Sequence, residues 1–111
     1  MQRNFYILID TTMNWLKKLL GLDGPDVKEL LKSGAKLVDV RTPAEFKSGH
    51  VKGSVNVPLD QLEKKVSAWN RDEVIVTCCR SGMRSSSAVQ RMRAIGFKNV
   101  HNGGSWTIIK K

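Results

Sequence analysis

The sequence predicts an α/β fold with a mostly parallel central sheet of about five short strands and helices on both faces. Two observations carry this prediction. Short apolar, β-branched runs alternate along the chain with segments of helical periodicity. Glycine and proline residues separate these segments at short intervals, as strand–helix–strand units require. The 111-residue chain is long enough for one domain with an ordinary hydrophobic core.

The chain divides into an N-terminal extension, residues 1 to 23, and a regular domain, residues 24 to 111. Within the extension, residues 5 to 9 (F-Y-I-L-I) predict a short strand, and residues 13 to 22 predict a short amphipathic helix. That helix either packs on the domain or contacts a membrane surface or a partner, unless the segment is poorly ordered. No apolar run approaches the ~18 residues of a membrane span. The N-terminus also lacks the apolar region of a secretory signal, so we expect a cytoplasmic protein with no membrane span.

The first half of the domain predicts two helix–strand units. They comprise a helix at residues 25–34, a buried strand at 36–40, a helix at 42–49 and a strand at 54–58. Gly34 and Gly49 are typical helix stops. Thr42 and Glu45 have the spacing of a capping box, with a proline between them at the first helical position.

The second half predicts the strongest strand of the domain and the elements around it. A helix is expected at 59–69, a strand at 73–78, a helix at 84–95, a strand at 99–101, a turn at 102–104 and a last short helix at 105–110. The segment C-C-R-S-G-M-R, residues 78 to 84, joins the strongest strand to the following helix. Ligands bind at the carboxyl ends of strands in such sheets, so this loop is the candidate site.

The loop has the features that activate a thiol. A tight strand-to-helix turn directs successive backbone N–H groups inward, and the helix N-terminus adds partial positive charge. Gly82 permits the positive φ that the turn needs, while Arg80 and Arg84 add formal charge. Such surroundings lower a cysteine pKa from about 8.5 into a range of roughly 3.5 to 7.5. A thiolate formed there is a nucleophile at neutral pH.

The two cysteines are adjacent, so they cannot join distant segments, and they lack the spacing of a zinc site. We therefore expect reactive or buried thiols rather than a structural disulfide or a metal ligand. The net charge is +9, and no aspartate or glutamate follows Glu73. This distribution favours an anionic substrate at the loop, unless it is only a solvated basic surface. Aromatic residues are not interleaved with basic ones, which argues against nucleic acid binding.

Three motifs together resemble the rhodanese (thiosulfate sulfurtransferase) domain family. Residues 37 to 59, L-V-D-V-R-T-P-A-E-F-K-S-G-H-V-K-G-S-V-N-V-P-L, are similar to that family's first signature. Residues 79 to 85, C-R-S-G-M-R-S, are similar to its active-site loop, and N-G-G-S-W is similar to the end of many single-domain members. The resemblance covers about residues 26 to 108 and implies a three-layer rhodanese-like fold.

The resemblance also implies a function and a set of site residues. Cys79 becomes the nucleophile that carries sulfur as a persulfide, and Arg80, Ser81, Gly82, Met83 and Arg84 form the substrate-binding loop. The implied reaction is expected to need no metal and no organic cofactor. The donor is expected to be a small anion, thiosulfate or a persulfide. The acceptor is a thiol or cyanide, including a thiol on a protein. Asp39, Arg41 and Ser85 are expected to support the site from behind.

Two other functions remain open at this stage. Counted from Cys78, the loop is C-x5-R, the spacing of cysteine-dependent phosphatases and some arsenate reductases. The glycine three residues past the nucleophile fits Cys79 better than Cys78. A rhodanese-fold module that binds a partner without catalysis is the other alternative. Cys78 itself is either a small buried residue or a resolving thiol that attacks the Cys79 persulfide.

Overall fold

In the computed structural model, which describes residues 26–110, a four-stranded parallel sheet carries helices on both faces. The elements in chain order are α1 (Val27–Lys32), β1 (Lys36–Asp39), α2 (Pro43–Ser48), β2 (Val55–Asn56), a 3-10 helix (Leu59–Gln61), α3 (Leu62–Val66), β3 (Val74–Cys79), α4 (Met83–Ala94), β4 (Asn99–Ser105) and α5 (Trp106–Lys110). The strand order is β2-β1-β3-β4, and each pairing is parallel. The predicted α/β fold is therefore confirmed.

The prediction of about five strands included residues 5 to 9, which lie outside the described residues. The amphipathic helix expected at residues 13 to 22 lies outside them as well. Between residues 26 and 110 the longest helix is α4, with 12 residues. No helix in that range combines the length and apolar character needed to cross a bilayer.

Side-chain alternation along β3 divides the hydrophobic core into two layers. Ile75 and Cys79 belong to the larger cluster, which packs under α3 and α4. Val76 and Cys78 belong to a smaller cluster on the other face, against residues of α1 and α5. Because β3 lies between β1 and β4 and is buried on both faces, its last residue enters the candidate loop from the interior of the fold.

The predicted capping box at the start of α2 is confirmed. The Thr42 hydroxyl accepts a hydrogen bond from the Glu45 N–H, and the Glu45 carboxylate accepts one from the Thr42 N–H, both at 3.2 Å. Each bond satisfies a backbone donor that a helix start would otherwise leave free. The capping box therefore fixes where α2 begins, directly after β1.

The turn predicted at residues 102–104 is wrong, because β4 continues through it to Ser105. Thr77 pairs with Asn102 and Cys79 with Ser105, so β4 carries one extra residue in a bulge. A Cβ atom at Gly103 would lie 2.7 Å from Val76 Cγ1 and 2.8 Å from the Thr77 carbonyl oxygen. At Gly103 the strand therefore passes too close to β3 for any side chain, whereas Gly104 has a φ of 78° and no atom within 4 Å of its Cβ position.

Candidate active site

The candidate site is the loop of residues 79 to 84, which joins the carboxyl end of β3 to the start of α4. Gly82 has a φ of 97° and occupies the N-cap position of α4. The positive φ expected at this glycine is therefore present. It reverses the chain between the strand and the helix, and it directs backbone N–H groups back toward residue 79.

The sulfur of Cys79 lies inside this turn as a hydrogen-bond acceptor. The Gly82 N–H donates to Sγ at 3.0 Å, and the Ser85 N–H donates at 3.4 Å. The Ser85 hydroxyl lies 3.5 Å from the same sulfur. The Cys79 side chain is buried, so these donors act on a sulfur that is shielded from bulk water.

Two opposing effects set the acidity of Cys79. Burial raises the pKa of the thiol, because it disfavours the charged form. Hydrogen bonds from the Ser85 hydroxyl and from the N–H groups of Ser85, Gly82 and Ser81 stabilise the thiolate. The hydrogen bonds outweigh burial, and the net pKa of Cys79 is lowered.

Cys78 has the opposite surroundings. It is the preceding residue of β3, so its side chain lies on the other face of the sheet in the apolar layer formed with α1 and α5. Burial, and secondarily the negative charge of Asp39, raise the pKa of Cys78 to about 12. At neutral pH the Cys78 thiol therefore stays protonated and packs as a small apolar group.

Arg84, the last residue of the loop, is held by a carboxylate from α2. Its Nη1 lies 2.7 Å from Glu45 Oε1, and its Nη2 lies 3.0 Å from Glu45 Oε2. Hydrogen bonds from Arg84 are the main cause that lowers the pKa of Glu45 to about 2. Glu45 therefore has a second role beside its capping function. Sequence reasoning missed this role because the two residues lie 39 positions apart.

The remaining side chains of the loop lie at the protein surface. Arg80, Ser81 and Met83 are exposed, and the Met83 side chain is 80% accessible. The Ser81 hydroxyl accepts a hydrogen bond from the Met83 N–H at 3.3 Å. None of the ion pairs formed by residues 26–110 involves Arg80. Its charge is therefore available to an anion approaching the loop.

Asp39 and Arg41 form a buried ion pair behind the loop. Arg41 Nη2 lies 2.7 Å from Asp39 Oδ2 and also donates to the Gly49 carbonyl oxygen at 2.7 Å. The guanidinium carbon lies 4.4 Å from the centre of the Trp106 ring. This pair therefore connects the end of β1 to the end of α2 and to α5. Neither side chain forms a hydrogen bond to the loop of residues 79 to 84 in the described part of the chain, so their role in supporting the site stays a prediction.

Asn102 was not identified from the sequence, because it was assigned to a turn. In the structure its side chain reaches the loop from β4 and accepts a hydrogen bond from the Ser85 hydroxyl at 2.7 Å. Thr77 also contacts Ser85, since its hydroxyl donates to the Ser85 carbonyl oxygen at 2.9 Å. Local sequence carries no signal for either contact, as both depend on the pairing of β3 with β4 and α4.

A groove of about 480 Å³ runs beside Arg84 at the carboxyl ends of β1 and β2. Its apolar floor includes Val40, Pro58 and Leu59, and its rim carries Arg84 and Arg91. It lies where an α/β sheet binds ligands. Within residues 26–110, no group of three or more histidine, cysteine, aspartate or glutamate side chains is arranged to hold a metal ion.

The family model for the rhodanese-like domain matches residues 12–106. The chain therefore belongs to the rhodanese-like domain family, as its motifs indicated. Its relatives include thiosulfate sulfurtransferases. Thiosulfate sulfurtransferase 18 of Arabidopsis thaliana is 33% identical over 102 residues, covering 79% of this chain and 75% of the relative.

Other relatives are similar over a shorter part of their length. The uncharacterized protein YqhL of Bacillus subtilis is 37% identical over 68 residues, which cover 61% of this chain and 54% of YqhL. The chain thus spans about half of that protein, and 36% of the putative sulfur carrier protein YrkF from the same organism. Among solved structures, the human single-domain sulfurtransferase TSTD1 is similar with a TM-score of 0.66 and 27% identity, covering 79% of this chain and 94% of TSTD1.

Proposed function

We propose that this protein is a sulfurtransferase that carries a sulfane sulfur as a persulfide on Cys79. The donor is thiosulfate or a small persulfide, and the acceptor is a thiol or cyanide. The observation that carries the proposal is the Cys79 sulfur, which accepts N–H hydrogen bonds from Gly82 and Ser85 at the N-terminus of α4. The similarity of the chain to thiosulfate sulfurtransferases supports the same chemistry.

In the first half-reaction the Cys79 thiolate attacks the outer sulfur of thiosulfate. A sulfur–sulfur bond forms to Cys79, and the bond to the sulfonate sulfur breaks. Sulfite leaves with the bonding electron pair and needs no proton, so no general acid is required. The N–H groups that stabilise the thiolate are placed to stabilise the negative charge that the persulfide carries.

In the second half-reaction the acceptor attacks the outer sulfur of the persulfide. Cyanide leaves as thiocyanate, a thiolate leaves as a new persulfide, and in both cases the electron pair returns to Cys79. The enzyme alternates between a free and a sulfur-loaded form, which implies ping-pong kinetics. The groove beside Arg84 offers an acceptor an apolar surface next to the loop.

The site geometry argues against the phosphatase alternative. That chemistry would start the loop at Cys78, whose side chain lies on the opposite face of the sheet with a pKa of about 12. It would also need an acid for the leaving group. Glu45 is the carboxylate that pairs with Arg84 of the loop. Its pKa is about 2, so it holds no proton at neutral pH and cannot act as this acid.

Intact-mass analysis after incubation with thiosulfate tests the proposal. We expect wild type and Cys78→Ala to gain one sulfur atom, and Cys79→Ser to gain none. Cyanide should then remove the added sulfur and release thiocyanate. The Cys78→Ala variant is the matched control, because it removes a thiol from the adjacent position of the same strand.

Sulfur uptake by Cys79→Ser would place the nucleophile elsewhere and contradict the proposal. Loss of uptake in folded Cys78→Ala would instead assign a role in sulfur uptake to Cys78. If folded wild type hydrolyses an aryl phosphate but takes up no sulfur, the phosphatase alternative replaces the proposal.

A further inference from the structure

The hydroxyl of Ser85 lies within reach of three acceptors. Its Oγ is 2.7 Å from Asn102 Oδ1, 3.1 Å from the Gly82 carbonyl oxygen and 3.5 Å from Cys79 Sγ. Ser85 is buried, so water does not easily replace these partners. A serine hydroxyl has one hydrogen, and it can therefore donate to only one of the three at full strength.

Two backbone contacts fix the orientation of the Asn102 amide. The Gly104 N–H donates to Oδ1 at 2.9 Å, and Nδ2 donates to the Gly82 carbonyl oxygen at 3.0 Å. A flipped amide would bring two donors together at Gly104 and two acceptors together at Gly82. Oδ1 is therefore the atom that faces Ser85, and it acts there as an acceptor.

We propose that Asn102 is a positioning residue that competes with the Cys79 sulfur for the single hydrogen of the Ser85 hydroxyl. The inference rests on the proposed function, in which Cys79 reacts as a thiolate. It adds Asn102 of β4 to the pair formed by Cys79 of β3 and Ser85 of α4. It also makes the direction of one hydroxyl depend on the protonation state of the nucleophile.

Each protonation state of Cys79 has its own hydrogen-bond arrangement. When Cys79 is a thiol, its S–H donates to Ser85 Oγ, and the Ser85 hydrogen goes to Asn102 Oδ1. When Cys79 gives its proton to solvent water, the Ser85 hydroxyl rotates and donates to the thiolate. Asn102, an exposed residue, then keeps the bond from the Gly104 N–H on Oδ1, so this acceptor is not left without a donor.

Titratable groups also lie on the elements that surround this site. They are Cys78 on β3, Arg84 on α4, Asp39 and Arg41 at the end of β1, Glu45 on α2 and His101 on β4. None of them forms a hydrogen bond to Ser85 Oγ or to Asn102 in the described part of the chain. A substitution at Asn102 leaves their charges in place, so a double-mutant cycle cancels their effect.

The test is the pKa of Cys79 in wild type, Asn102→Ala, Ser85→Ala and the double variant. It is measured by thiolate absorbance and by the pH dependence of alkylation with iodoacetamide. We expect Asn102→Ala to lower the pKa by roughly one unit, because the Ser85 hydrogen loses its acceptor at 2.7 Å, and the competitor that remains, the Gly82 carbonyl oxygen, lies farther away at 3.1 Å. Ser85→Ala should raise it by about one unit, since a donor to the thiolate is lost.

The decisive comparison is Asn102→Ala in the Ser85→Ala background, where we expect no shift. An equal shift in both backgrounds, or no shift in the wild-type background, would overturn the proposal. If Asn102→Ala does not fold, Asn102→Ser replaces it, because serine keeps a polar group for the Gly104 N–H. We expect the same shift in the pKa of Cys79. A wild-type pKa at or above about 8.5 would instead contradict the proposed function together with this inference.

Discussion

At the scale of single residues, the acidity of Cys79 depends on how many donors surround a buried sulfur. Burial alone would make this thiol as inert as Cys78, its neighbour on the same strand. The difference between them is that Cys79 lies inside the turn, where the Gly82 and Ser85 N–H groups converge. A single position along β3 thus separates a candidate nucleophile from a packing residue.

Gly82→Ala tests this turn directly. A β-carbon is strained at a φ of 97° and would lie 3.4 Å from the Gly104 Cα. We expect a loss of about 1–2 kcal/mol of stability, and alkylation of Cys79 at neutral pH slower by roughly tenfold because the N–H donor moves away from the sulfur. Denaturant unfolding and alkylation kinetics measure the two effects.

Gly53→Ala is the matched control for backbone strain. Gly53 has a φ of 85°, and a Cβ there would meet no atom within 4 Å. It should lose a similar amount of stability yet leave the alkylation rate of Cys79 unchanged. If both variants slowed alkylation equally, the effect would come from general destabilisation and not from the turn.

At the scale of elements, the ion pair between Arg84 and Glu45 joins α4 to α2 across the mouth of the site. Both side chains are about one-third exposed, at 37% and 34%, so solvent screens the pair and limits its stabilisation to about 1 kcal/mol or less. The main consequence is therefore positional. The loop's last arginine is held by a helix whose start is itself fixed by the capping box.

Glu45→Gln should show a pH-dependent loss of stability. The pKa of Glu45 falls from 4.5 to about 2 in the folded protein, so the pair stabilises the fold fully above about pH 4.5 and loses this contribution as the pH drops toward 2. We expect the variant to be less stable at pH 7 by about 1 kcal/mol at most, and equal to wild type near pH 2. Glutamine retains the capping contact, which isolates the ion pair.

Glu29→Gln provides the control for that prediction. Glu29 occupies the same position in the first turn of α1, another six-residue helix, but among residues 26–110 its only ion pair is a 3.8 Å contact with the exposed Lys32. We expect no measurable pH-dependent change in its free energy of unfolding. A Glu45→Gln curve that matched the Glu29→Gln curve would show that the pair with Arg84 contributes nothing to the fold.

At the scale of the whole molecule, basic and acidic residues are unevenly distributed along the chain. The net charge is +9, and the segment after Glu73 contains no acidic residue. Arg80 is exposed at the loop, whereas Arg84 and Arg91 have glutamate partners. The resulting positive field should draw small anions toward Cys79 and should weaken as salt shortens its range.

Two alkylating reagents of similar size separate this effect from the chemistry of the thiol. Raising the ionic strength from about 10 mM to 150 mM shortens the screening length severalfold. We expect the reaction of Cys79 with anionic iodoacetate to slow several-fold over this range, and its reaction with neutral iodoacetamide to change little. A salt dependence shared by both reagents would mean that salt alters the thiol and not the approach of the anion.

The sequence by itself determined every feature whose cause is local. The alternation of V-I-V-T-C-C placed the two cysteines on opposite faces, the spacing of Thr42 and Glu45 formed the capping box, and Gly82 provided the positive φ of the loop. These depend on neighbouring residues and on backbone sterics, which a sequence displays directly. The α/β class followed from them, and so did the location of the candidate site at the end of β3.

Only the tertiary structure decided the contacts between distant segments. Glu45 reaches Arg84 across 39 positions, and Asn102 reaches Ser85 across 17. The glycines after Asn102 read locally as a turn, but the close pairing of β4 with β3 makes them a bulge that carries the amide to the loop. Such contacts depend on register and packing, which no short stretch of sequence encodes, because the free energy that selects them comes from burying many residues at once.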